Sequence, residues 1–267
     1  MDVLAIVSDT HANSRLGLCV PSFNLLDGGT YRANRTQRWL WNNWLEFWQE
    51  FDALEGRKGA IFNGDMIDGD SKKRSYQTIT NNPAEMVDLA NLVLLPALDV
   101  LDYCVFLKGT PAHVGKSANL EETLARDVTI AELNGENNYA WDNFYGEVGG
   151  VVFDIKHHGK LGHKPWTRPN SINALAVELV LAYTKRRERL PDVAIRSHRH
   201  LMADSYDNYA VRVIANGCWQ MQNEYGHVVS DDLPDISGLI FECENGEYEL
   251  TKKSYIPGRR KLWTNTP

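Results

Sequence analysis

The chain has 267 residues, 43% of them hydrophobic and 24% charged. This is ordinary globular material with enough length for one sizeable core, so a single domain over residues 1–267 is expected. A formal charge of −7 and a pI near 5.6 exclude a surface built wholly to grip nucleic acid, which leaves nucleic acid a possible but not a favoured partner. The longest apolar stretch, 92–101, is broken by Pro96 and Asp99 and falls well short of the roughly 18–20 residues a membrane span needs. With no basic leader or small-residue cleavage site ahead of the first apolar run, the expectation is a soluble, cytoplasmic chain with no membrane partner. Cys19, Cys104, Cys218 and Cys243 are widely spaced, which fits reduced core thiols better than a disulfide framework or zinc finger.

In chain order, residues 3–7 predict a first strand. Residues 36–54 follow with Leu40, Trp44, Phe47, Trp48 and Phe51 at helical spacing behind Thr36 as N-cap, predicting a helix whose aromatic face packs on a sheet. That spacing also favours core packing over base stacking for the tryptophans Trp39, Trp41, Trp44 and Trp48. Residues 60–62 predict a second strand, 83–101 a helix opening on Pro83, and 103–107 a third strand, which together make a βαβαβ unit. A strand over 151–155, a helix over 171–189 and a strand over 192–196 come next. Residues 209–215, 238–243 and 248–255 then read as consecutive strands forming an antiparallel layer. The fold class is α/β, with central mixed sheet layers flanked by helices. The connections 17–35 and 68–82 are longer than ordinary loops and are candidates for substrate contact. The basic run Lys185-Arg186-Arg187-Glu188-Arg189 reads as a solvated helix end and Gly258-Arg259-Arg260-Lys261 as a chain end.

Four segments, each ending a predicted strand, concentrate side chains that bind divalent metals: Ser8-Asp9-Thr10-His11, Asn63-Gly64-Asp65, Lys156-His157-His158-Gly159 and Ser197-His198-Arg199-His200. The carboxyl ends of sheet strands form the crevice where ligands bind in α/β folds, so these segments can converge on one two-metal site. Asp and His supply the hard oxygen and borderline nitrogen donors that Mn, Fe, Zn, Co or Ni accept. Asp65, preceded by a glycine and carrying two oxygens, suits a bridging role. Metal-assisted phosphoester hydrolysis is the leading expectation. No G-x-S-x-G elbow supports a serine nucleophile.

This ordered set resembles the calcineurin-like metallophosphoesterase family, with its D-x-H, G-D-x-x-D, G-N-H-D/E, H-G and G-H-x-H motifs, across residues 3–217. The resemblance implies a four-layer metallophosphoesterase-like sandwich, with Asp9, His11 and His200 on a first metal, His158 and His198 on a second, and Asp65 between them. Manganese is the favoured ion, and a metal-bridging hydroxide the implied nucleophile. Asp68 fills the last position of G-D-x-x-D as a supporting residue. Two departures stand out: Gly109-Thr110-Pro111-Ala112-His113 replaces G-N-H-D/E, and Ser197 replaces the usual Gly. Thr110 is therefore a possible ligand of the second metal, and His113 either the catalytic histidine or a ligand. The G-T-x-x-H form is similar to phage-type members, for which the location would be the host cytoplasm. Between the adjacent histidines, His158 is preferred because it precedes Gly159. His163 and His227 fit no template position and read as polar surface residues. The implied substrate is a phosphodiester or phosphomonoester; a nuclease and a metal-bound scaffold without turnover are the competing readings.

Overall fold

In the computed structural model, which describes residues 1–69, 77–159, 162, 164–229 and 232–258, alternation along the first strand sets out the layers. β1 (Asp2–Val7) turns Val3, Ala5 and Val7 into one hydrophobic cluster and Leu4 and Ile6 into another, as the two-residue period of a strand requires. The chain continues through the hairpin β2 (Ser22–Asn24) and β3 (Thr30–Arg32), α1 (Arg35–Asp52), β4 (Arg57–Asn63), α2 (Pro83–Leu98) and β5 (Tyr103–Leu107). A one-turn α3 (Pro111–Val114), α4 (Asn119–Asp127), β6 (Ala140–Trp141), β7 (Phe144–Val148), β8 (Val151–Lys156) and α5 (Arg168–Arg186) follow. β9 (Val193–Arg196), β10 (Ala203–Asp204), β11 (Arg212–Ala215), α6 (Glu224–Val229), β12 (Ile236–Glu244) and β13 (Glu247–Tyr255) complete the described elements.

One sheet has the order β13-β12-β1-β4-β5-β6 and a second the order β10-β11-β9-β8-β7. β1, β4 and β5 pair in parallel, as the βαβαβ reading requires, and so do β8, β9 and β11. The last strands depart from expectation. They do not form one antiparallel layer: β11 joins β9 in the second sheet, while the hairpin of β12 and β13 returns to the first and pairs antiparallel with β1. The long 17–35 connection contains the β2 and β3 hairpin.

Packing makes four layers. Leu40, Trp44, Phe47, Trp48 and Phe51 of α1, with Val93 of α2 and Leu124 of α4, cover the outer face of the first sheet. Ile61, Val105, Phe153, Ile195 and Phe241 fill the space between the sheets. Ile172, Ala176 and Tyr183 of α5 pack on Ala194 and Val213 of the second. This is the α/β sandwich expected. The N-cap of α1 is Asn34 and not Thr36: the Asn34 side chain accepts from the Gln37 N–H, and Gln37 reaches back to Asn34 in a reciprocal capping box. Trp39 and Trp41 lie partly buried against the same cluster.

All four cysteines are buried and free. Among the described residues no helix is long and apolar enough to cross a membrane. His163, Arg259, Arg260, Lys261 and residues 70–76 of the 68–82 connection lie outside the described residues.

Candidate metal centre

The ligand segments leave the carboxyl ends of β1, β4, β5, β8 and β9, and their backbones are bent inward there. Asp9, His11, Asp65, His198 and His200 adopt left-handed φ values of 53°, 44°, 54°, 71° and 57°. Each such non-glycine residue costs on the order of 1–3 kcal/mol and persists only where its surroundings over-determine it. Here the loops lock one another: Asp9 N–H donates to Gly64 O at 3.0 Å, His11 N–H to Asp65 O at 3.0 Å, and Trp219 N–H to Asp9 O at 3.0 Å.

The side chains gather into two touching groups. Asp9 Oδ1 lies 3.1 Å from His200 Nε2 and 3.7 Å from His11 Nε2, and those two ring nitrogens are 3.3 Å apart. Asp65 Oδ2 lies 3.0 Å from His157 Nε2, 2.9 Å from Thr110 Oγ1 and 3.8 Å from His198 Nδ1. His157 Nε2 is also 4.0 Å from Asp9 Oδ1, which joins the groups. Thr110 Oγ1 stands 3.0 Å from His198 Nδ1, inside the second group.

Electrostatics reinforces the geometry. Burial works to raise the Asp9 carboxyl, but the charges of His157 and His200 and hydrogen bonds from His11 and His200 hold it far below the ordinary carboxylate range. Asp65 is likewise held well below that range against its burial, by His157 and His198. Burial opposes charge on His157, yet Asp65 and Asp9 push it up to about 10. His200 is lifted against its burial by Cys218 and Asp9, whereas His11 is lowered by burial and by His113. Two buried carboxylates thus stay ionised, compensated here by the positive charge of His157 and His200. Divalent cations would suit the same place, because carboxylate oxygens and imidazole nitrogens converge there within 4.8 Å of one another.

His157, and not His158, is the histidine that meets Asp65. β8 turns Phe153 and Ile155 toward the first sheet, and His157 continues that face, emerging between the sheets with 2% exposure. Its Nδ1–H donates to Asn63 O at 2.6 Å, which leaves Nε2 toward Asp65. His158 is exposed, its ring centroid 4.6 Å from that of His198, and it still offers a nitrogen within the His157, His158 and His198 cluster.

Both motif departures have structural explanations. Thr110 N–H donates to Asp65 Oδ1 at 2.6 Å, and Gly109 lies so close that a Cβ there would stand 2.2 Å from Asp65 N. Ser197 Oγ accepts from Asn63 Nδ2 at 2.8 Å, and the same nitrogen donates to Lys156 O at 3.2 Å, tying the ends of β4, β8 and β9 together. His113, on α3, has Nδ1 2.8 Å from Asp68 Oδ1 and its ring centroid 4.6 Å from that of His11.

A cavity of about 390 Å³ opens over Asp65, His113, His198 and His200, and Arg199 and Gln220 also line it. Gln220 was not singled out from sequence; it is 1% exposed, and among the described residues its Nε2 has no hydrogen-bond partner. Glu121, a buried carboxylate on α4, was missed as well. His227 lies in α6.

No family model and no curated protein matches the sequence. Among solved structures the chain is similar to a dimetal phosphatase from Danio rerio, with TM-score 0.47 and 10% identity over 94% of this chain and 96% of that one. Vps29 from Chaetomium thermophilum gives TM-score 0.47 and 8% identity, covering 96% and 98%. Vps29 from Entamoeba histolytica, complexed with zinc, gives 0.43 and 10%, covering 94% and 98%. Likeness at these identities and TM-scores carries no argument; the architecture rests on the strand order and the chemistry on the side chains described above.

Proposed function

We propose that this protein is a dinuclear metal-dependent phosphoesterase acting on phosphodiesters or phosphomonoesters. The observation that carries the reading is the pair of donor groups meeting at the buried Asp65, all at strand ends and five of the donors, Asp9, His11, Asp65, His198 and His200, in left-handed backbone. In this reading Asp9, His11 and His200 hold one cation; His157 and His198, with Thr110, hold the other; Asp65 serves both. His158 flanks the second group. The donor chemistry suits Mn, Fe, Zn, Co or Ni, with manganese the favoured ion. Bound there, two cations would neutralise phosphoryl charge and lower the pKa of a water.

The chain's own residues supply the rest. Thr110 holds both Asp65 oxygens, through its N–H and its hydroxyl, and so fixes the carboxylate's orientation. Asp68 holds Nδ1 of His113, which orients that ring beside the cavity, where it gives a proton from Nε2 to the leaving oxygen. Arg199 and the Gln220 carboxamide line the same cavity and supply donors for phosphoryl or leaving-group oxygens.

The test is hydrolysis of an aryl phosphodiester and the matching monoester by metal-stripped protein reloaded with manganese, beside Asp65→Asn. Metal is expected to restore turnover, the variant to lack it, and His113→Ala to lower kcat by about 10²-fold or more. Two bound equivalents without turnover would leave a metal-bound scaffold as the better reading.

A further inference from the structure

We propose that Glu121 is a positioning residue that sets the second metal seat by fixing Asp65 and Thr110 relative to each other. The inference rests on the dinuclear reading above and goes beyond it to a side chain that touches neither cation. Glu121 is 0% exposed, one turn before the buried Leu124 and Ala125 on α4, so its backbone is anchored in the core. Its Oε1 accepts the Met66 N–H at 3.1 Å and its Oε2 the Gly109 N–H at 2.5 Å. Met66 follows Asp65 and Gly109 precedes Thr110, so one carboxylate spans the loops leaving β4 and β5. Thr110 closes the ring from the other side, its N–H on Asp65 Oδ1 at 2.6 Å and its Oγ1 at 2.9 Å from Oδ2.

This ring encloses the close approach at Gly109, whose added Cβ would stand 2.3 Å from Asp65 Oδ1. Burial and the charge of Asp65 push the Glu121 carboxyl up to about 8, while its two oxygens stay placed as acceptors for the two loops. An apolar residue would leave two inward N–H groups without this acceptor. The first seat is held differently: Asp9 N–H donates to Gly64 O and Trp219 N–H to Asp9 O, with no contact to Glu121 in either bond. Loss of the Glu121 carboxylate therefore loosens the seat of His157, His198 and Thr110 more than that of Asp9, His11 and His200.

Equilibrium dialysis of the metal-stripped full chain against manganese, with elemental analysis, reads both seats without recourse to activity. The wild type is expected to bind two equivalents. In Glu121→Gln one equivalent is expected at wild-type affinity and the second at least about tenfold weaker, in the range seen when outer-shell partners of metal ligands are removed. Leu124→Ala, which loosens α4 and leaves the Glu121 carboxyl group in place, is expected to keep both affinities. Two wild-type affinities in Glu121→Gln, or equal weakening of both seats in it and in Leu124→Ala, would overturn the proposal. Should Glu121→Gln not fold, Glu121→Asp keeps the carboxyl group one methylene short and is read by the same criteria. Failure of both to fold would assign Glu121 to the fold itself and overturn the positioning role. Fewer than two equivalents in the wild type overturns the dinuclear reading and this inference with it, which separates the two failures.

Discussion

Replacing His157 by alanine removes the one imidazole that Asn63 O fixes through Nδ1 and that faces Asp65 through Nε2. Manganese affinity measured by calorimetry is expected to fall at least about 10–100-fold, while His158→Ala stays within about threefold of wild type; the opposite order would return the ligand role to His158. At Gly109 an added Cβ meets Asp65 backbone and carboxylate atoms that cannot retreat. Gly109→Ala is expected to cost about 1–3 kcal/mol in denaturant unfolding, and an unchanged midpoint would contradict the close approach. Asp9, His11, His198 and His200 were legible because a carboxylate or imidazole every second residue at a strand end is a pattern in one short segment. The choice between His157 and His158 turned on which face β8 presents to the first sheet, which needs the partner sheet. Glu121 and Gln220 left no local pattern, since the partners of the one are N–H groups of distant loops and the surroundings of the other are a cavity assembled from several strand ends.

Helices show the same division between local and distant information. The aromatic face of α1 could be read directly, because Leu40, Trp44, Phe47, Trp48 and Phe51 recur at helical period, and all five are buried. Trp44 is enclosed by Trp48 and Trp219 and donates through Nε1 to Val93 O at 2.9 Å. Trp44→Ala is expected to cost about 3–5 kcal/mol by chemical denaturation, and a loss below about 1 kcal/mol would contradict this packing. The start of α1 was misplaced by two residues: Thr36 looks like a cap in isolation, but Asn34 and Gln37 satisfy each other's backbone. Asn34→Ala is accordingly expected to cost about 1 kcal/mol and Thr36→Ala under about 0.5 kcal/mol. The short α3 and α4 escaped the sequence reading because four and nine residues span too few turns for an apolar period. β12 and β13 were seen as strands, but their return to β1 is a pairing between chain ends that spacing does not encode.

For the molecule as a whole, the two sheets contribute to one centre. Asp9 and His11 follow β1, Asp65 follows β4 and Thr110 follows β5 in the first sheet, while His157 follows β8 and His198 and His200 follow β9 in the second. Cations held between them would cross-link layers that otherwise meet through the apolar cluster of Ile61, Phe153, Ile195 and Phe241. Metal binding is therefore expected to stabilise the fold, by about 2.7 kcal/mol at a free concentration one hundred times Kd. Chelator should lower Tm accordingly, and an unchanged Tm would contradict the cross-link. The βαβαβ unit was legible from strand and helix periods in the first half of the chain, whereas in the second half turns and pairings between distant strands decide the sheet. The most direct test of the central claim is anomalous diffraction from crystals of the manganese-loaded protein. Two peaks about 3.5–4 Å apart, one beside Asp9, His11 and His200 and the other beside His157 and His198, with Asp65 reaching both, are the expected result. A single peak, or peaks away from Asp65, would contradict it.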